Sequence, residues 1–355
     1  MIGNAGGPGM TSMWYLFKGM GPYKVNQADG VVSRESDYSV TNFADYLLPE
    51  FPLGTGWSTT GEWLTSTEDN DTDFLLFMNA LSLVNPLVNK TRAIYFHGNG
   101  YAGTLLTNMA LKLALDGWNV RGMMMSGAWV DTQSYVGRIA TKLNDDGSKG
   151  FTYPYWDWWG KMTKLLVAGN IVGSRWSSAY MALGTTSGFP WTRNLTKAAS
   201  DSRDSTWDDW RDMTEFFQDF LQSETLRTQM NGGDSEMHMW NKDVARSMFY
   251  NTAQKTFSVT VENLLDIGVK IMFMEGEYGH PTDIYSQLDW FNRTSYARQG
   301  FVDKVWQWTT FGAIKGWGNV CWEKVTDSGS FVEFDRQVAA YTRLQNLAVH
   351  DSICD

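Results

Sequence analysis

A glycine-rich motif between an apolar run and a helical pattern constrains the fold more than any other part of the chain. The motif is Gly98-Asn99-Gly100-Tyr101-Ala102-Gly103, and it follows Ala93-Ile94-Tyr95-Phe96. Apolar residues at helical spacing continue through Leu105, Met109 and Leu113. We therefore predict a buried strand, a sharp turn and a helix, within an alternating α/β fold.

Two different functions use this local structure. In the G-x-S-x-G elbow, a strained turn presents a nucleophilic serine at the third position of the motif, which here is Gly100. In the G-x-G-x-x-G fingerprint, the glycines, here Gly98, Gly100 and Gly103, let the backbone approach the pyrophosphate of a dinucleotide. The motif thus predicts either an elbow without its nucleophile or the cofactor site of an oxidoreductase.

The dinucleotide hypothesis fits the next predicted strand poorly. Such a site places an acidic residue about 20 positions after the glycines, on the ribose hydroxyl. The strand that begins at Val120 continues with Arg121 and Gly122. Only an NADP-dependent oxidoreductase, with Arg121 on the 2′-phosphate, remains as an alternative of this kind.

Composition and charge exclude several classes of function. A chain of 355 residues that is 43% hydrophobic can bury one large α/β core or two smaller ones. The net charge is −10 and no dense cluster of lysine and arginine occurs, which argues against nucleic acid as a partner. Because no stretch of 18 or more apolar residues is present, the sequence predicts no transmembrane segment.

Apolar, β-prone runs predict four strands, and a long segment interrupts their alternation with helices. The runs are Tyr46 to Leu48, Ala93 to Phe96, Val120 to Met125 and Val269 to Met274. We predict a core formed by residues 1–128 and 242–355, with an inserted helical, tryptophan-rich cap at 129–241. The densest aromatic cluster of this cap is a candidate interface; it contains Tyr153, Tyr155, Trp156, Trp158 and Trp159.

Three separated segments resemble the serine carboxypeptidases, which are α/β-hydrolases with an inserted cap. Gly6 to Met13 resembles the family's glycine block N-G-G-P-G-C-S-S, and Glu50 to Ser58 resembles E-Q-P-V-G-T-G-F-S. The elbow motif resembles G-E-S-Y-A-G. More loosely, Ile271 to Phe291 resembles the strand and loop that present the catalytic acid, and Phe331 to Leu347 resembles the terminal strand and histidine loop.

The resemblance implies an α/β-hydrolase fold, with a central, mostly parallel sheet, helices on both of its faces and an inserted helical cap. The N-terminal hairpin of the family is expected to be missing. At the three positions of the catalytic triad the chain has Gly100 for the serine, Gly279 for the acid and Gln337 for the histidine. Glutamine is no general base near neutral pH, so we expect a pseudoenzyme without catalytic residues.

Other parts of the family's site are retained only in part. The resemblance implies that the backbone of Gly7 and Tyr101 is a remnant of the oxyanion hole. Glu50 and Asn99 are the remnant of the pocket that binds the substrate carboxylate. An acidic loop with Glu275, Glu277, His280 and Asp283 matches no strong spacing of metal ligands, and we expect neither a metal nor a cofactor.

We therefore expect a structural or interaction subunit whose partners are other proteins of a large assembly. The alternatives are a binding module that uses the vacated pocket, and a hydrolase or acyltransferase of altered chemistry that uses His97, His280 or an acidic pair. Cys321 and Cys354 form one disulfide or remain free thiols. The absence of a secretory signal and the scarcity of cysteines favour an intracellular, reducing compartment, with a mitochondrial assembly as a guess, over the secretory or lysosomal one that the resemblance implies. The four sequons are weak evidence for secretion.

Overall fold

The computed structural model describes residues 1–135 and 217–354, apart from short gaps at 18, 26–30, 35–36, 63, 133, 253–254, 278–281 and 330. Most of the predicted cap, including the aromatic cluster at 153–159, therefore lies outside the described residues. The domain boundaries stay a prediction. In the described parts, no helix is long and apolar enough to cross a lipid bilayer.

A seven-stranded sheet forms the centre of the protein, in the order β1-β4-β5-β6-β9-β8-β7. The first five strands are parallel, and β8 and β7 extend the sheet by antiparallel pairing. A separate antiparallel pair, β2 and β3, follows the first helix. The strands are β1 Ile2–Asn4, β2 Tyr23–Val25, β3 Val32–Arg34, β4 Ile94–Asn99, β5 Val120–Ser126, β6 Lys270–Gly276, β7 Gln307–Trp308, β8 Gly312–Trp317 and β9 Val320–Val325.

Helices alternate with the parallel strands, as the sequence predicts. The described residues also contain a short 3₁₀ helix, Val40–Asn42, and a helical segment at 217–222. The α-helices are α1 Trp14–Phe17, α2 Thr67–Val84, α3 Ala102–Leu115, α4 Glu224–Gln229, α5 Lys242–Thr252, α6 Ser258–Asp266, α7 Ile284–Phe291, α8 Ser295–Arg298, α9 Val332–Asp335 and α10 Gln337–His350.

The sheet is buried on both faces because its central strands contain continuous apolar runs, such as Met123 to Met125 of β5 and Ile271 to Met274 of β6. Successive side chains of a strand point to opposite faces. Met123 and Met125 of β5 therefore pack in the core on the side of α2, α3 and α6, whereas Met124 packs on the side of α10. This two-faced core confirms the predicted mostly parallel sheet with helices on both faces.

Two strand predictions are wrong. Tyr46–Leu48 forms no strand and contributes only an isolated bridge between Leu47 and Ile2. The segment expected to hold the terminal strand, Phe331 to Leu347, is mostly helical, and the last strand of the sheet, β9, lies upstream of it. Its sequence, Val-Cys-Trp-Glu-Lys-Val, places Glu323 and Lys324 between apolar residues, so it lacks the continuous apolar run that marked the central strands.

Cys321 of β9 and Cys354 near the C-terminus form a disulfide. Cys321 is fully buried, and the bond holds the segment after α10 against β9. The sequence had left open whether these cysteines pair, and the structure pairs them. The reducing compartment stays a prediction.

Candidate active-site remnant at the elbow

The predicted turn lies at the carboxyl end of β4. The strand ends at Asn99, Gly100 has a φ of +56°, and α3 begins at Ala102. The amide of Gly100 donates to Ser126 O at 2.9 Å, and its carbonyl accepts from Trp129 N at 2.8 Å. Both bonds connect the turn to β5 and the segment after it. The backbone at position 100 is therefore fixed at the carboxyl ends of the parallel strands, where ligands of α/β proteins bind.

The three glycines of the elbow motif differ in the space around them. A Cβ atom on Gly98 would lie 2.6 Å from Ala102 Cβ, and one on Gly103 would lie 2.7 Å from Trp129 N. At Gly100 a Cβ would meet no atom of the described residues within 4 Å. Position 100 is therefore the place where a side chain would enter open space, and this chain has no side chain there.

The glycine block that begins the chain packs directly against the elbow. A Cβ on Gly6 would lie 2.2 Å from Asn99 O and 3.1 Å from Tyr101 N. Gly7 is the next residue, with a φ of +110°. The structure thus brings the chain segments of Gly7 and Tyr101 together beside Gly100, while their role as an oxyanion-hole remnant stays a prediction.

Glu50 connects the glycine block to the segment from Phe51 to Gly56. Its carboxylate accepts from Thr11 Oγ1 at 2.5 Å, from Ser12 N at 3.1 Å and from Thr55 Oγ1 at 3.4 Å. Burial raises the pKa of Glu50 to about 7, although these hydrogen bonds act in the opposite direction. The Glu50 side chain therefore joins the glycine block to the segment from Phe51 to Gly56 by hydrogen bonds.

Beneath the elbow lies a buried polar network that the sequence analysis missed, and we call it the Glu333 cluster. Its members are His97 of β4, Asn99, Ser126 of β5 and Glu333 of α9, and each is at most 4% exposed. Glu333 Oε1 lies 3.1 Å from His97 Nε2 and accepts a hydrogen bond from Ser126 Oγ. Asn99 Nδ2 donates to Ser126 Oγ at 3.0 Å.

Two tyrosines border the Glu333 cluster. The hydroxyl of Tyr46 lies 3.3 Å from His97 Nδ1, and the ring of Tyr15 packs on the His97 ring at 4.7 Å between centroids. Burial, together with the nearby Glu333 carboxylate, raises the pKa of Tyr15 well above its usual value. No local signal identifies the cluster, because His97 and Glu333 are separated by more than 200 positions along the chain.

The cluster corrects the hypothesis that His97 forms a catalytic pair with His280. His97 has no exposed surface, and both of its ring nitrogens have partners within the protein. A general base must reach the proton that it abstracts, and His97 cannot reach a substrate from this position. His280 lies outside the described residues.

The remaining triad positions are less well defined than the elbow. Gly279 lies outside the described residues. Gln337 is the first residue of α10, and its Nε2 donates to Gly19 O at 2.5 Å. Because the terminal strand ends upstream, at Val325, the segment that follows it is 326–331. The structure therefore does not support the assignment of the family's histidine position to Gln337.

The acidic residues at the end of β6 and in the segment after it are engaged in structural contacts. Glu275 is buried and accepts from Gln287 Nε2 at 2.7 Å, and Glu277 pairs with Lys324 at 3.6 Å. Asp283 caps α7 by accepting from Tyr285 N and Ser286 N. Among the described residues, no group of three or more histidine, cysteine, aspartate or glutamate side chains could hold a metal ion.

The oxidoreductase alternative fails on the position of Arg121. This residue is exposed at the amino end of β5, whereas the elbow lies at the carboxyl end of β4. With about 3.3 Å per residue along a strand, roughly 16 Å of sheet separates the two ends. Arg121 therefore cannot contact a phosphate of a dinucleotide bound at the glycines.

Sequence comparison matches residues 5–147 to the serine carboxypeptidase family. The pheromone-processing carboxypeptidase KEX1 of Tuber melanosporum is 31% identical over 134 residues, which are 36% of this chain and 21% of that protein. The corresponding protein of Aspergillus oryzae is 29% identical over 150 residues, 40% of this chain and 24% of that protein. The chain thus matches only about a fifth to a quarter of the length of these relatives.

Structural comparison extends the similarity to almost the whole chain. Kex1(delta)p, a prohormone-processing carboxypeptidase from Saccharomyces cerevisiae, superposes with a TM-score of 0.79 at 18% sequence identity. The superposition covers 99% of this chain and 82% of that structure. The chain therefore has the α/β-hydrolase fold, and over residues 5–147 its sequence is similar to the serine carboxypeptidase family.

Proposed function

We propose that this protein is a serine carboxypeptidase-like pseudoenzyme that has lost acyl transfer and serves as a structural or interaction subunit. The observation that carries the proposal is Gly100, which lies at the tip of the elbow and has no side chain where the nucleophile would be; none of the described residues fills the space around it. Covalent acyl transfer requires a nucleophile with a base in hydrogen-bond reach. Position 100 supplies no such group.

Ser126 is the serine of the Glu333 cluster, and its hydroxyl does not replace the missing nucleophile. Ser126 is fully buried, its hydroxyl donates to Glu333, and it accepts from Asn99. A nucleophile must be accessible to the carbonyl that it attacks, and this hydroxyl faces the protein core. The polar residues around the elbow therefore support the fold rather than a reaction.

The elbow and the glycine block keep their geometry although the nucleophile is absent. The turn retains both of its backbone bonds to the β5 side, and the glycine block still packs at the elbow. A second layer of bonds closes over this block, because Asn241 N donates to Gly9 O and Trp240 Nε1 donates to Pro8 O. We take the retention of this architecture as support for a role as a scaffold.

Restoring the hydroxyl at position 100 is expected to yield no peptidase. Gly100→Ser places the side chain in open space, at a strain of about 1–2 kcal/mol because φ is positive. His97, the histidine beneath the elbow, is buried and has partners at both ring nitrogens, so the new serine should not react with an organophosphonate probe or turn over blocked peptides and esters faster than the parent chain. Robust turnover would show that a working base and acid are present and would contradict the proposed pseudoenzyme.

The role in an assembly makes a separate prediction about native mass. Gently extracted protein is expected to migrate in a large complex on size separation, and mass spectrometry of the same fractions should identify its constant neighbours. The aromatic cluster of the cap is the interface we propose. Variants Trp156→Ala and Trp158→Ala should release the chain from the complex, whereas Trp308→Ala, on a side chain that is 82% exposed in β7, should not. Migration as a single chain would contradict the scaffold role.

A binding module in the vacated pocket is the second candidate, and the open space at Gly100 favours it. A ligand there would contact the rim formed by the elbow and the glycine block. Quenching of tryptophan fluorescence by a peptide with a free C-terminal carboxylate would support this function. Filling the space with Gly100→Leu should abolish the quenching.

A further inference from the structure

A surface turn between α2 and β4 carries one of the four sequons, Asn89-Lys90-Thr91. The carboxamide oxygen of Asn89 accepts three hydrogen bonds, from Thr91 N at 3.1 Å, Thr91 Oγ1 at 2.7 Å and Arg92 N at 3.2 Å. The threonine hydroxyl of the sequon thus already donates to the asparagine that would be modified.

The surroundings of this turn leave room for a large substituent. Lys90, Thr91 and Arg92 are all exposed, and Leu87 is 61% exposed. Asn89 Nδ2 donates to Pro86 O at 3.0 Å, and a carboxamide nitrogen has two hydrogens. One hydrogen can therefore keep this bond after the other is replaced by a sugar. The turn also lies at the amino end of β4, away from the elbow.

The other described sequons lack these properties. Asn70 is fully buried within α2, so a glycan on it is incompatible with the fold. At Asn292 the carboxamide oxygen is buried, and Thr294, which is 6% exposed, donates its hydroxyl to Phe291 O instead of to the asparagine. Asn194 lies outside the described residues.

The disulfide is an independent observation, and it indicates the oxidising compartment in which N-glycosylation takes place. Disulfides persist in secreted proteins and in the lumen of the secretory pathway, and are rare in reducing compartments. The Cys321–Cys354 bond of this chain therefore indicates the same secretory pathway in which the sequon at Asn89 would be glycosylated. N-glycosylation marks surface loops of proteins in that pathway.

We propose that Asn89 is an N-glycosylation site and that the chain passes through an oxidising compartment that contains an oligosaccharide diphospholipid donor. In the transfer, Asn89 Nδ2 bonds to the anomeric carbon of the oligosaccharide and the bond from that carbon to the diphosphate oxygen breaks. The lipid diphosphate leaves, and the amide proton goes to the base of the transferring enzyme. This proposal and the predicted reducing compartment exclude each other.

The test uses the chain purified from the cells that make it. A peptide N-glycosidase in H₂¹⁸O converts each glycosylated asparagine to labelled aspartate, which peptide mass spectrometry locates. We expect the label at Asn89 and none at Asn70 or Asn292. An unlabelled Asn89 in the native protein, or a label at Asn70 or Asn292, would overturn the proposal.

A matched pair of variants tests whether the turn itself is the acceptor. Thr91→Ala and Thr72→Ala each remove an exposed threonine hydroxyl from a sequon, at Asn89 and at Asn70 respectively. In chains secreted from insect cells, Thr91→Ala should lower the intact mass by one glycan, and Thr72→Ala should leave the glycan mass unchanged. Loss of a glycan in Thr72→Ala, or none in Thr91→Ala, would contradict the assignment.

Discussion

Replacement of Glu333 by alanine is expected to lower the free energy of unfolding by about 3–5 kcal/mol. The carboxylate is 1% exposed and serves both His97, at 3.1 Å, and Ser126. Its removal leaves two buried polar groups without their partner, and each such group costs about 1–3 kcal/mol. It also leaves a cavity between α9 and the carboxyl ends of β4 and β5.

Urea denaturation, followed by circular dichroism, measures this loss. The matched control is Glu277→Ala, because Glu277 also pairs with a basic side chain but its own side chain is 33% exposed. A pair of this kind contributes at most about 1 kcal/mol, so the control should remain close to the parent chain.

A third variant separates the loss of the carboxylate from the loss of its volume. The double replacement His97→Leu with Glu333→Met removes the polar partners together and refills the space with apolar atoms. Buried polar networks replaced in this way are often neutral or more stable, so the double variant should be more stable than Glu333→Ala. If Glu333→Ala unfolds within about 1 kcal/mol of the parent chain, the cluster is not a stabilising network.

The elbow is the part of the site that local sequence patterns could predict. Each feature of it is encoded within a few neighbouring residues, as an apolar strand, a motif with small residues and a helix with apolar residues at helical spacing. The tight approach of Ala102 to Gly98 and of Trp129 to Gly103 explains why these positions are glycine. The central strands β4, β5 and β6 were predicted for the same reason, since their apolar runs are continuous.

The Glu333 cluster and the terminal strand could not be predicted in this way. A glutamate on a short helix gives no local sign that it faces a histidine two hundred positions away, because the contact exists only after β4, β5 and α9 have packed. In β9, Glu323 is fully buried because Arg343 of α10 binds it, with its Nε at 2.8 Å from Oε2. This charged pair interrupts the apolar pattern of β9, so a search for apolar runs does not identify the strand. The family resemblance instead placed the terminal strand and histidine loop in Phe331 to Leu347, which includes most of α10.

Substitution of Gly6 by alanine should destabilise the chain by about 4 kcal/mol or more, or prevent folding. A Cβ on this residue would lie 2.2 Å from Asn99 O and 2.9 Å from Ala102 N, and both of these are backbone atoms that no side-chain rotation can move. The positive φ of +83° adds the strain of a left-handed conformation, about 1–2 kcal/mol. The glycine block would have to separate from the elbow.

Gly100→Ala is the matched control for this effect, because it combines a positive φ of +56° with open space around the new Cβ. It should cost only the backbone strain of about 1–2 kcal/mol, and the difference between the two variants measures the contact between glycine block and elbow. Soluble yield and urea midpoints of both proteins provide the comparison. Equal stability of Gly6→Ala and Gly100→Ala would mean that the two segments do not pack at the distances described. The oxyanion-hole remnant that depends on this packing would then have no structural basis.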